Sequence, residues 1–191
     1  MKKKLFLVLA IISFSRIFSQ EDKSSDRTMG FYFNPSMHVG LKVTKEKQIP
    51  NNTQYIQPAA TRKFTYGISA IGGYHFLPNF ALGGGFRYSF LENNYHLVYL
   101  MIQPKIIFTP GDNPLFIELN YGKQLNNSVV SDSELWGGRI GMQVSYSKRL
   151  SQEGGIVLET YKTGNSNPLF IGLSYGITIF SNKNYTGYGE D

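Results

Sequence analysis

The chain of 191 residues contains no cysteine. That excludes a disulfide framework, thiolate metal ligands, a cysteine nucleophile and a lipid anchor on cysteine. Charge is scarce as well: Asp, Glu, Lys and Arg make up 17 % of the residues, against about 25 % in a typical soluble domain. Beyond the first 19 residues no apolar run reaches the length of a membrane helix. The chain has instead 13 Tyr, 14 Phe and 20 Gly, with aromatic residues at 15 %. Such a composition is too apolar for a disordered chain, and it favours short strands joined by turns. The length allows one or two domains at most.

The net charge of +6 is concentrated at one end. Lys2, Lys3, Lys4 and Arg16 lie in the opening MKKKLFLVLAIISFSRIFS, where a basic start precedes an apolar run from Leu5 to Ile12, followed by Ser13, Ser15 and Ser19. This is the layout of a cleaved secretory signal peptide, expected over residues 1–19. A permanent anchor would need about 20 apolar residues, and Ser13, Ser15 and Arg16 interrupt this run. Removing the signal leaves 15 basic and 13 acidic residues, a net charge of +2. The electrostatic case for a nucleic-acid partner disappears with it.

Alternation with period two dominates the rest. In KFTYGISAIGGYHF, residues Phe64, Tyr66, Ile68, Ala70, Tyr74 and Phe76 share one face, Thr65, Gly67, Ser69, Gly73 and His75 share the other, and Ile71 alone breaks the rule. A Leu-Pro-Asn turn leads into FALGGGFRYSF, which alternates in the same way. Continued along the chain, the pattern predicts strands near 30 to 43, 63 to 76, 80 to 90, 95 to 108, 115 to 123, 135 to 148, 155 to 161 and 168 to 180. The seventh falls short of the roughly 9 to 11 residues of a spanning strand and is expected to extend at one end. The connections LPN, TPGDNP and RLSQEG are turn-like, whereas 44 to 62 and 124 to 134 are longer and polar. An even number of strands with turns on one side and loops on the other predicts an all-β, eight-stranded antiparallel up-and-down transmembrane β-barrel.

A soluble β-sandwich also alternates, but its outer face meets water and carries charge. Here the second face is small: Gly40, Gly67, Gly73, Gly83, Gly85, Gly122, Gly137, Gly141, Gly172 and Gly176 fall on it. The eight strands hold 96 residues and nine charges, while the remaining mature residues hold 19 charges. That distribution fits a narrow lumen better than a solvated face. Aromatic residues near strand ends, among them Phe31, Tyr74, Phe80, Phe90, Trp136, Tyr146 and Tyr175, predict two interfacial girdles.

The signal peptide, the run GYHFLPNFALGGGFRYSF, the strand PLFIELNYG and the final strand PLFIGLSYGITIF together resemble the small eight-stranded bacterial outer-membrane β-barrel family, the porin-like or OmpA/OmpX-type proteins. The resemblance covers roughly residues 29 to 180 and implies fold and location rather than activity. It implies a Gram-negative outer membrane, with the lipid bilayer and lipopolysaccharide as surroundings and the outer-membrane assembly machinery as a partner during biogenesis. A monomer is expected. Family members often end at the aromatic of the last strand, yet here SNKNYTGYGED follows Phe180. The expected division is therefore a signal peptide 1–19, a short periplasmic segment 20–28, a barrel 29–180 and a polar tail 181–191.

By parity the strand charges Lys42, Arg87, Lys105, Glu118, Arg139 and Glu159 face the lumen, and pairing across TPGDNP sets Lys105 opposite Glu118. Such charges either plug the lumen as ion pairs or line a narrow path for small solutes or ions. A lipid-modifying enzyme would need a nucleophile and base, and Ser36 with His38, two positions apart on one strand face, are the candidate pair. No histidine is followed by Ser two positions on, no His-Glu-x-x-His occurs, and the glycines at 83 to 85 lack the Lys-Ser/Thr of a phosphate loop. No cofactor, metal site or catalytic activity is expected. The function expected is a structural or surface-interaction role carried by loops 44–62 and 124–134, with a narrow porin-like channel lined by the strand charges, and a lipid-modifying enzyme around Ser36 and His38, as the alternatives.

Overall fold

Strands with a single apolar face must cover it, and these eight do so by closing on one another with that face outward. The computed structural model describes residues 30–44, 63–91, 95–108, 113–128, 132–147, 149–163 and 167–181. The expected signal peptide, the segment 20–28, residues 45–62 of the first long loop and the tail from 182 lie outside the described residues. The elements are β1 (Gly30–Lys42), β2 (Phe64–Leu77), β3 (Phe80–Leu91), β4 (Tyr95–Ile107), β5 (Leu115–Gln124), β6 (Glu134–Ser147), β7 (Leu150–Lys162) and β8 (Leu169–Phe180). Each pairs antiparallel with its chain neighbours, and β1 pairs with β8 from Tyr32 opposite Phe180 to Lys42 opposite Phe170. The sheet is thus a closed eight-stranded up-and-down barrel, and a two-sheet sandwich is excluded.

Seven strands begin and end within one residue of the limits that alternation predicts. The seventh extends, as its shortness predicts, chiefly at its N-terminal end: β7 runs over Leu150–Lys162 where alternation marks 155 to 161. RLSQEG reads as a turn by composition, but Ser147 already pairs with Leu150, and Ser151, Gln152 and Glu153 pair with Ser145, Val144 and Gln143. Polar residues are tolerated there because they alternate correctly. Ser151 and Glu153 point inward, while the outward Gln152 side chain accepts a hydrogen bond from Tyr146 Oη at 2.8 Å.

The connections between β2 and β3, β4 and β5, and β6 and β7 share one end of the barrel, the turn end, with Gly30 and Phe180; the other four share the opposite, loop end, which carries the two longest, 43–63 and 125–133. Inside, side chains stack in three tiers. Tyr32, Ala81 and Phe180 with His75 close the turn end. Leu91, Leu97, Tyr99, Leu135, Tyr161 and Phe170 close the loop end. Charged and amide side chains fill the space between them. Ile71, which breaks the alternation of β2, is a lumenal residue at 1 % exposure.

Glycine on the inner face makes room for rings from the neighbouring strand. A Cβ at Gly67 would lie 2.6 Å from His38 Cε1, and one at Gly83 would lie 2.6 Å from both Tyr32 Oη and Ile71 Cγ2. Large side chains therefore lie over the bare glycine positions of nearby strands.

The outer wall carries Phe31, Met37, Leu41, Ile68, Phe86, Ile102, Leu119, Ile140, Ile156 and Leu173, all well exposed. Aromatic rings pack at both ends of it. Phe31, Tyr74, Phe76 and Phe80 cluster at the turn end, and Phe64, Tyr66, Phe90 and His96 at the loop end, where Tyr121 and Trp136 lie 4.5 Å apart. Tyr175 departs from the expected girdles. It pairs in register with Met37 and Gly154 and so sits at mid-height.

Candidate functional site

The sites that the fold creates are the filled lumen and the loop-side rim. Arg87, Lys105, Glu118, Arg139 and Glu159 are each at 5 % exposure or less, inside the barrel. Lys42 lies at the loop-side end of β1 and is partly exposed. The lumen holds two ionic clusters. In the first, Arg87 Nη1 and Nη2 donate to Glu159 Oε1 and Oε2 at 2.5 Å each, a bidentate pair joining β3 to β7. Its guanidinium also reaches Ser89 Oγ at 3.2 Å and Tyr161 Oη at 3.3 Å.

The second cluster is centred on Arg139, whose Nη2 donates to Glu118 Oε2 at 2.6 Å and to Glu153 Oε2 at 2.9 Å. Lys105 lies opposite Glu118 in register, yet its Nζ donates to Glu153 Oε1 at 2.5 Å. Gln103 Nε2 reaches Glu118 Oε1 at 2.8 Å and Asn120 Oδ1 at 2.7 Å. Asn34 Nδ2 donates to Thr178 Oγ1 at 2.5 Å, which donates to Glu153 Oε1 at 2.6 Å. The Phe116 ring sits between the two cations, 4.2 Å from Lys105 Nζ and 4.8 Å from Arg139 Cζ.

These two clusters place three cations against three carboxylates. In a low-dielectric interior that balance matters, because one uncompensated charge would cost several kcal/mol. Sequence parity missed Glu153, the acid that joins Lys105 to Arg139, since the expected seventh strand began two residues after it. Glu153 and Glu159 share parity six residues apart, and extending the alternation backward from Glu159 would have found it.

Ser36 and His38 do not form a nucleophile and base pair. Ser36 Oγ shares a hydrogen bond of 2.6 Å with Ser69 Oγ, and His38 Nε2 is buried without a partner. Both line a small lumenal cavity of about 20 Å³ bordered by Arg87, Arg139 and Ser174. A second cavity of about 10 Å³ lies between His38, Thr65 and Phe170. Each is the size of a single water molecule. Among the described residues no three acidic or histidine side chains converge as a metal site.

At the loop end the β5–β6 connection is tied down at its base. Asn126 Oδ1 accepts from Val98 N and Asn126 Nδ2 donates to His96 O, both at 2.8 Å, so one side-chain amide continues the β4 ladder where β5 leaves it. Gln124 Oε1 accepts from Ser133 N at 2.8 Å, and Tyr99 Oη shares a hydrogen bond of 2.8 Å with Ser133 Oγ. Asp132 adopts a left-handed conformation, φ 54°, which a short polar side chain tolerates.

A closed antiparallel barrel, apolar outside and ion-paired inside, has the fold of the small eight-stranded outer-membrane β-barrels. The crystal structure of neisserial surface protein A is similar, with a TM-score of 0.55 at 11 % identity over 80 % of this chain and 98 % of that one. The N-terminal β-barrel domain of Pseudomonas aeruginosa OprF aligns over 80 % of this chain and 100 % of its own at 11 % identity, TM-score 0.48. Outer membrane protein H of P. aeruginosa aligns over 77 % and 99 % at 16 % identity, TM-score 0.44. At such identities the likeness concerns the fold alone. No protein-family model matches the chain, and no curated protein matches it in sequence.

Proposed function

We propose that this protein is a non-enzymatic barrel of the bacterial outer membrane, a rigid body that holds loops 44–62 and 124–134 at the cell surface for a structural or surface-interaction role. One observation carries the reading: a belt of exposed apolar side chains surrounds a lumen filled by ion pairs and rings. The outward residues of β1 from Phe31 to Leu41 span ten residue steps, about 34 Å along a strand and about 26 Å along the axis at a tilt near 40°. The apolar band of known membrane barrels is about 25 Å tall. In water such a surface would drive aggregation.

The loop-side anchors support the second half of the proposal. Asn126, Gln124 and Ser133 fix where the β5–β6 loop leaves the barrel, so a binding segment would be presented from a defined base. Closure leaves no unpaired edge among the eight strands, which favours a monomer in the bilayer. The final strand, Leu169–Phe180, is the segment offered to the assembly machinery. Two features argue against the alternatives: the lumen cavities of about 20 and 10 Å³ are too small for a solute path, and Ser36 is engaged by Ser69.

The test is fractionation of the producing cell followed by electrophoresis with and without boiling. The expected result is recovery in the outer membrane with mobility that changes on heating, as for a barrel that resists detergent. A soluble periplasmic protein would overturn the reading.

A further inference from the structure

The strands carry ten charged residues: seven have inward parity, and three face outward. Those three form one row. Lys123 on β5 lies opposite Glu134 on β6, which lies opposite Lys162 on β7. Towards mid-height the next outward row across the same strands is Tyr121, Trp136 and Thr160; then come Leu119, Gly138 and Leu158, and then Ile117, Ile140 and Ile156. From rim to middle the wall therefore changes from charged to aromatic to aliphatic. That sequence of chemistries matches a lipid headgroup, its interfacial region and its acyl chains.

The row leaves both of its lysines exposed. Glu134 accepts from Trp136 Nε1 at 3.3 Å and pairs with Lys162 Nζ at 3.6 Å, which leaves the Lys162 side chain 59 % exposed. Lys123 is exposed and makes no ion pair among the described residues. The row has a net charge of +1, and neighbouring-strand spacing places the two lysines about 10 Å apart. Below them Gly138 leaves a shallow channel, since the nearest atoms to a Cβ there would be Glu118 O at 3.5 Å and Leu119 Cδ2 at 3.8 Å. Lys123 adjoins Gln124, whose amide is held by Asn126 and Ser133, so the base of the row is ordered.

We infer that Lys123 and Lys162, levelled by Glu134 and Trp136, dock a phosphate of one lipopolysaccharide molecule in the outer leaflet, with one of its acyl chains lying over Gly138. The inference rests on the outer-membrane reading, because the loop-side rim lies at the depth of that leaflet only if the barrel is oriented with its turns in the periplasm. Two lysines near an anionic lipid surface add attraction worth about fivefold in affinity each.

The experiment uses the full mature chain, folded into phosphatidylcholine nanodiscs that contain either bis-phosphorylated lipid A or the same lipid A with its phosphates removed. Lipid retained on the released barrel is counted by native mass spectrometry. The expected outcome is preferential retention of one phosphorylated lipid A, reduced about thirtyfold in the Lys123→Gln/Lys162→Gln double variant and increased by Glu134→Gln. Gly138→Leu should weaken retention of both lipid forms while the preference for phosphate stays. Equal retention of the two lipids by the wild-type barrel, or an unchanged preference in the double variant, would overturn the inference. Heat-modifiable mobility of each variant reports folding independently. A chain that does not fold into the bilayer counts against the membrane reading, whereas a folded barrel without preference counts against the headgroup site alone.

Discussion

Each lumenal charge is bound to its partner by the cost of leaving either one alone. Arg87 and Glu159 are both buried, and their bidentate contact spans from β3 to β7. Glu159→Gln should lower unfolding free energy in vesicles by about 3 to 5 kcal/mol, because the guanidinium then remains buried without its counter-charge. Replacing both residues, Arg87→Met with Glu159→Leu, should cost much less than the sum of the single changes. Urea titration of the vesicle-embedded barrel, followed by tryptophan fluorescence of Trp136, gives the cycle, and additive costs would show that the two side chains are independent. Gly67 is a second sensitive residue. His38 occupies the space that a Cβ there would need, and the Tyr88 carbonyl closes the remaining side. Gly67→Ala should therefore destabilise by about 1 to 3 kcal/mol through overpacking, although alanine is the smallest possible addition.

At the scale of the strand, β7 tests how far the membrane extends along the wall. Ile156 lies at the middle of β7, and Thr160 lies one aromatic row from the rim. Ile156→Arg should cost about 2 to 4 kcal/mol in vesicle-folding titrations, and Thr160→Arg no more than about 1 kcal/mol. Similar costs at the two positions would mean that this face is not immersed as the belt implies. The same strand shows what sequence alone could deliver. Alternation located seven strands to within a residue, because Phe, Tyr, Ile and Leu can face lipid only if every second residue does so. It failed over Ser151, Gln152 and Glu153, where the inward partners are polar and Gln152 faces outward against Tyr146, so the local pattern carries no apolar period. The lumen charges were legible by parity, but their partners were not. Lys105 passes over its register neighbour Glu118 to reach Glu153, a choice made by the geometry across the barrel rather than along any strand pair. Asn126 likewise carries no sequence signal for its role, since its mimicry of a strand residue depends on where β5 departs from β4.

For the whole molecule, the three tiers of the lumen act in series. Tyr32, His75 and Phe180 close the turn end, the two ionic clusters close the middle, and Tyr99, Tyr161 and Phe170 close the loop end. A path for ions would require all three to open together. The barrel in a planar lipid bilayer should therefore be electrically silent, and Arg87→Ala should stay silent although it removes one cation from the middle tier. The prediction separates a plug from a selectivity lining. If Arg87 and Glu118 lined a conducting path, wild type would give stable single-channel currents and changing either residue would alter or abolish them. If they only fill and satisfy the interior, the same substitutions lower stability and leave conductance at zero. Recording Arg87→Ala alongside its urea midpoint reads both quantities on one preparation. A loss of stability without current is the result that this packing demands, because the rings above and below the vacated guanidinium remain in place.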